Sequence, residues 1–134
     1  MQAVNEHTAG FSQSRAVRIP DVLPGTWENT NSASRGITKV VLRVNEGELR
    51  IRVYGAGKNG PCDWGEVGTC FFSGEVCVHE AMAFTAFFDF GFMESQLLAH
   101  IKLGVLVVAK FDRFKDDSGR PNHFSREFFY RVDA

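Results

Sequence analysis

The chain has 134 residues, a formal net charge of −1, and 44% hydrophobic against 23% charged residues, which suits one domain with its own core and argues against disorder for most of the length. No stretch clusters Lys and Arg as phosphate neutralisation requires, so neither nucleic acid nor an anionic membrane is an expected partner, and no run approaches the ~20 apolar residues of a membrane-spanning helix. The start, Met1-Gln2-Ala3-Val4-Asn5-Glu6-His7, lacks the basic and apolar regions of a secretory signal, so a cytoplasmic location is expected and the three cysteines read as reduced thiols.

Residues 1–24 are polar and unpatterned, with Ser12, Ser14, Arg15 and Arg18 ahead of Pro20 and Pro24, and read as an irregular arm or lid. Residues 25–134 form the domain proper. From Trp27 onward about eight short strand-like runs are punctuated by Gly, Asn, Asp and Pro, the spacing of an all-β sandwich or barrel. A single helical turn capped by Asn31 or Ser32 fits residues 31–35. A two-residue turn at Glu46-Gly47 then sets Val44 opposite Leu49, Leu42 opposite Ile51 and Val40 opposite Val53, leaving Arg43, Arg50, Arg52, Lys39 and Tyr54 on the wet face.

The glycine-rich loop 55–61 runs into Cys62-Asp63-Trp64-Gly65-Glu66, where an indole and an acid could form the rim of a pocket or simply a turn with a core tryptophan. A turn at Ser73-Gly74 would place Cys70 across from Cys77, with His79 on the same face. That is the start of a metal site but short of a fourth ligand, so free thiols are the expectation and no metal is assigned. The run His79 to Phe90 puts Met82, Phe84, Ala86, Phe88 and Phe90 on one face and Ala83, Thr85, Phe87 and Asp89 on the other.

A turn at Leu103-Gly104 gives one face of Leu97, Ala99, Ile101, Leu106 and Val108 and another of Leu98, His100, Val105, Val107, Ala109 and Phe111. Both are largely apolar, so one should line the domain and the other should meet a subunit or the N-terminal arm, which favours a homo-oligomer, a homodimer in the simplest case. Asp116, Asp117 and Asn122 read as a polar hairpin turn without the spacing of a calcium loop. Beyond it Arg126 alternates with Phe124, Phe128 and Tyr130, where a cation among aromatics must grip a ligand anion or bridge to an acid such as Glu66.

Gly25-Thr26-Trp27 opening the first strand and Arg131 closing the last resemble the calycins, the lipocalin and avidin group of small barrels. The resemblance implies an eight-stranded antiparallel up-and-down barrel in which Arg131 packs over Trp27 and seals one end, leaving the other as a mouth. The polar set of a biotin site has no counterpart here. In class and size the chain also resembles cofactor-free barrel cyclases and isomerases, including the allene oxide cyclase type.

Three functions are open at this point. The first is an intracellular barrel binding an apolar or aromatic metabolite, with Trp64, Tyr54, Asp63, Phe87, Phe111, Phe124 and Phe128 as its lining. The second is a cofactor-free cyclase or isomerase of a natural-product intermediate using Asp89, His100 or Arg126 to polarise the substrate. The third is a structural or oligomerisation module with a filled barrel. None needs a cofactor.

Overall fold

The computed structural model describes residues 18–74 and 81–132. Among these the chain forms nine antiparallel strands and no helix: β1 (Gly25–Asn29), β2 (Ile37–Asn45), β3 (Glu48–Gly55), β4 (Cys62–Gly68), β5 (Cys70–Ser73), β6 (Ala81–Asp89), β7 (Met93–Lys102), β8 (Val105–Phe114) and β9 (His123–Arg131). Their order in the sheet is β4-β3-β2-β1-β9-β8-β7-β6-β5, a meander joined at the β1–β9 seam and curled into a nearly closed barrel.

The eight strands expected become nine because the run from Cys62 to Ser73 changes partner partway. Gly68 is the last residue opposite β3, facing Arg50, whereas Cys70 already faces Thr85 of β6. Thr69 lies between them and donates its hydroxyl to the Leu49 carbonyl at 3.0 Å. The helical turn expected at residues 31–35 is instead a capped turn, with the Ser34 amide on the Asn31 carbonyl (3.1 Å) and the Ala33 amide on the Asn31 side chain (3.0 Å).

Two of the three expected hairpin turns form, at Glu46-Gly47 and Leu103-Gly104. Glu46 and Leu103 each have φ of 53°, and Gly47 and Gly104 each 81°, the doubly positive pair of a turn whose twist matches its strands. The registers follow, with Leu42 opposite Ile51 in the first hairpin and Ala99 opposite Val108 in the second. The Ser73-Gly74 turn does not form as expected: Ser73 faces Ala81, so the β5–β6 connection is longer and Cys70 meets Thr85 rather than Cys77. Cys77 and His79 lie outside the described residues, as do residues 1–17 of the arm.

Alternation sends one side chain of each pair into the lumen. Trp27, Val40, Leu42, Leu49, Ile51, Val53, Phe84, Leu97, Leu106 and Phe129 are all essentially fully buried there, so the middle of the barrel is filled by its own side chains. Each such side chain contributes ~1.5–3 kcal/mol of burial, which makes this belt the main source of stability. At the arm end the Trp27 indole donates to the Leu23 carbonyl and Arg131 donates to that of Val22, both at 3.0 Å. Arg131 stands directly opposite Trp27. Buried Leu23 is thereby pinned as a plug.

The outer surface has two unlike halves. On β2–β4 it is charged and ion-paired: Glu66 accepts from Arg43 at 2.7 Å and Arg50 at 3.2 Å, and Asp63 accepts from Arg52 at 2.7 Å. The Arg43 hydrogen bond, opposed by partial burial and helped by Arg50, holds the Glu66 carboxyl down at about 2. On β6–β9 the outer surface is apolar. No helix among the described residues is long and apolar enough to cross a membrane.

Candidate functional site

The end opposite the arm is built by the loops after β1, β3, β6 and β8. Just inside it the register stacks two rungs across neighbouring strands: Phe88, Ser95, Asp112 and His123 form one, and Ala86, Leu97, Lys110 and Ser125 the next. Lys110 and Asp112 are two residues apart on β8, so both project inward, and the ammonium donates to the Asp112 carboxylate. Ser95 Oγ donates to the other Asp112 oxygen at 2.5 Å. Ser95 is fully buried, and Lys110 and Asp112 nearly so. A pair of charges taken out of water recovers its desolvation cost only through such geometry, which is why a lumenal ion pair is a signal of function as well as of structure.

One rung below, Glu127 faces Val108. Its carboxylate accepts the Ser34 hydroxyl at 2.5 Å, and the same hydroxyl accepts the Gly36 amide at 3.0 Å, tying the loop after β1 to the barrel wall. Asn29, also buried, donates to the Ile37 carbonyl at 2.8 Å. One arc of this end is therefore polar.

The adjoining arc is aromatic. Trp64 meets Phe88 edge-on at 5.5 Å and Phe90 at 5.1 Å between centroids. Two local features aim the indole inward. A bulge in the β3–β4 ladder pairs Val53 with Gly65 and Tyr54 with Asp63, which leaves Trp64 as the extra residue. A Cβ at buried Gly55 would lie 2.7 Å from Trp64 Nε1, so only glycine gives the ring its place. At the lip, Arg120 lies over the Phe114 ring at 4.2 Å while pairing with Asp116 at 3.0 Å.

Of the residues singled out by sequence, only Trp64 lines this end. Asp63, placed on the pocket rim by the sequence, is exposed and bound to Arg52, and Tyr54 lies outside under Lys39, whose Nζ is 4.5 Å from the ring. Phe87, Phe111, Phe124 and Phe128 point outward, because their inward neighbours are Phe88, Asp112, Ser125 and Phe129. Asp89, His100 and Arg126 also lie on the outer face. Asp89 and His100 do not converge: Asp89 pairs with Glu94 and His100 with Ala83, about 20 Å apart along β7 at ~3.4 Å per residue.

The Gly91 amide and the Lys115 ammonium, the latter at 3.0 Å, hold Asp89 below the usual carboxylate range. Arg126 is not bridged to Glu66, whose partners are Arg43 and Arg50. His100 lines a shallow groove of about 280 Å³ at the arm end, with Pro20, Leu23, Met82, Phe84 and Ile101. That volume falls just below the ~300–1,000 Å³ range of small-molecule sites. Cys62 and Cys70 are free thiols, the latter pushed up by burial, and no group of three metal-ligating side chains occurs among the described residues.

Sequence reasoning missed Lys110, Asp112 and Ser95, although the signal was present. The Leu103-Gly104 register, extended two rungs past Val108, places Lys110 opposite Leu97 and Asp112 opposite Ser95 on the inward face. The run of apolar residues drew attention to the opposite face. No protein-family model, curated protein or solved structure matches the chain.

Proposed function

We propose that the protein is a calycin-like barrel that binds a small aromatic or apolar metabolite carrying an anionic group, and that it does so at the loop end. The observation that carries this reading is the buried Lys110–Asp112–Ser95 cluster abutting the Trp64–Phe88–Phe90 wall. A flat apolar wall beside a few fixed polar groups is the composition of a small-molecule site. Lys110 supplies the charge that meets the ligand's carboxylate, sulfonate or enolate, Asp112 and Ser95 hold it in position, and Arg120 adds a second cation at the lip. Lys110 takes the anchoring role expected of Arg126.

The test is a fluorescence titration with 1-anilinonaphthalene-8-sulfonate, an aromatic anion, together with native mass spectrometry for co-purifying small molecules. Saturable binding at one site is expected. It should weaken at least tenfold in Trp64→Ala and in the double variant Lys110→Met/Asp112→Leu, and be unchanged in Arg126→Ala. Binding indifferent to both loop-end changes would overturn the proposal. The filled middle of the lumen favours a second reading, a structural module with no ligand, and an empty protein that binds no probe would put that reading first.

A further inference from the structure

The outer face of β6–β9 is unlike the rest of the surface formed by the described residues. Phe124 and Phe128 of β9, Phe111 of β8 and Leu98 of β7 are 55%, 44%, 47% and 39% exposed. The register joins them into one patch: Phe111 faces Phe124 with ring centroids 5.1 Å apart, Val107 faces Phe128, and Ala109 lies between Leu98 and Arg126. Charges are confined to the patch's edge nearest the loop end, where Arg113 pairs with Glu94 at 2.7 Å and Lys115 with Asp89 at 3.0 Å, and to Lys102 at the other edge. Only Arg126 is charged within it. An apolar centre rich in aromatics and arginine, inside a rim of solvated ion pairs, is the anatomy of a protein–protein interface. The opposite half of the barrel, with its Arg43, Arg50, Arg52, Glu66 and Asp63 network, is the solvated surface against which the contrast is drawn.

We propose that this face docks a second copy of the same chain, back to back through β7, β8 and β9. Size argues for that occupant. Three strands ~4.8 Å apart and nine or ten residues long at ~3.4 Å each present a projected area of roughly 450–500 Å² before side-chain relief is counted, more than half of the ~800 Å² of accessible surface that each partner contributes to a stable complex. A peptide laid on the face would cover only a strand's width. Two identical curved sheets cover each other's aromatic centre while the ion-paired rims stay wet. Such a two-fold contact is also the simplest closed assembly. Arg126, which has no ion pair within its own chain among the described residues, stacks on the aromatic surface of the facing copy.

Sedimentation equilibrium of the full chain tests this, with 15.0 kDa expected for one copy and twice that for the pair. The wild type should be a dimer at micromolar concentration. Phe111→Glu and Phe128→Glu should each weaken the dimer at least 100-fold, while Val41→Glu on the charged half should leave it intact. Hydroxyl-radical footprinting of the wild type needs no variant to fold: Phe111, Phe124 and Phe128 should gain protection as concentration rises across the transition. A wild type that remains a monomer at 100 µM overturns the proposal. So does a dimer that resists both glutamates, or a monomer that dimerises only when residues 1–17 are removed, which would make the chain's own N-terminal segment the occupant. Loss of the dimer with retention of the fluorescent probe would separate this inference from the ligand reading.

Discussion

Asp112→Ala is the most telling single change. Asp112 accepts hydrogen bonds from both Lys110 and Ser95, and the Lys110 and Asp112 side chains retain only 11% and 6% of their exposure. Removing the carboxylate leaves a buried ammonium without its counter-ion and a buried hydroxyl without its acceptor. The first costs ~3–5 kcal/mol and the second ~1 kcal/mol, against a total stability of roughly 5–15 kcal/mol for a domain of this size. At a melting entropy of ~2.1 cal/mol/K per residue, a loss of 4 kcal/mol lowers Tm by about 14 °C. The double variant Lys110→Met/Asp112→Leu removes both charges and refills the space, so it should melt within a few degrees of wild type. Urea unfolding followed by far-UV circular dichroism on wild type, Lys110→Met, Asp112→Leu and the double gives the coupling energy directly. A single Asp112→Ala that costs under 1 kcal/mol would refute the reasoning, since it would mean that Lys110 reaches water without its partner.

Gly55→Ala forces the Trp64 indole from its place, because the new methyl would lie 2.7 Å from Nε1; near-UV circular dichroism should lose tryptophan structure and stability should fall by about 1–3 kcal/mol. Glu66 has an ordinary value of 4.5 and is held at about 2 in the folded chain. Its pairing therefore contributes stability fully above pH ~4.5, and that contribution is lost as pH falls toward ~2. The Tm gap between wild type and Glu66→Gln should accordingly narrow across that window, and a gap that stays constant would show that the arginines do not stabilise the anion. Trp27→Ala removes the largest fully buried side chain together with its bond to Leu23, and a loss of about 3–5 kcal/mol is expected in the same unfolding assay.

The fold was more legible than the site, for a physical reason. Strand pairing obeys a period of two, so Val44/Leu49 and Ile101/Leu106 could be paired from their turn residues alone. The strand count erred at Gly68-Thr69, where the backbone changes partner without any turn residue to announce it beyond the glycine. The two faces were separated on β6 and on the β7–β8 hairpin, but which of them was lumen stayed open, with hydrophobicity as the guide. That measure fails where both faces are apolar. Phe111, Phe124 and Phe128 were taken for cavity lining and lie outside, while Lys110 and Asp112 lie inside because their partners Leu97 and Ser95 do. Buried charge is invisible to a hydropathy argument, since its cost is met by particular partners, here Asp112 two residues along β8 from Lys110 and Ser95 on β7.

The two lines along which the barrel closes divide the chain in a way that bears on how it forms. One is the β1–β9 seam, where residues about a hundred positions apart, such as Glu28 and Tyr130, face each other. The other is Thr69, between β4 and β5 at opposite ends of the sheet order. Between these lines lie two successive meanders, residues 25–68 and 70–131, each made only of pairings between strands adjacent in sequence. Loop-closure entropy is small within each and concentrated in the step that joins them. The N-terminal meander carries the charged outer face and the C-terminal one the aromatic outer face, so before the halves meet, the C-terminal meander exposes apolar surface on both sides. Its window for misassociation is therefore set by the rate at which five-residue β1 finds β9.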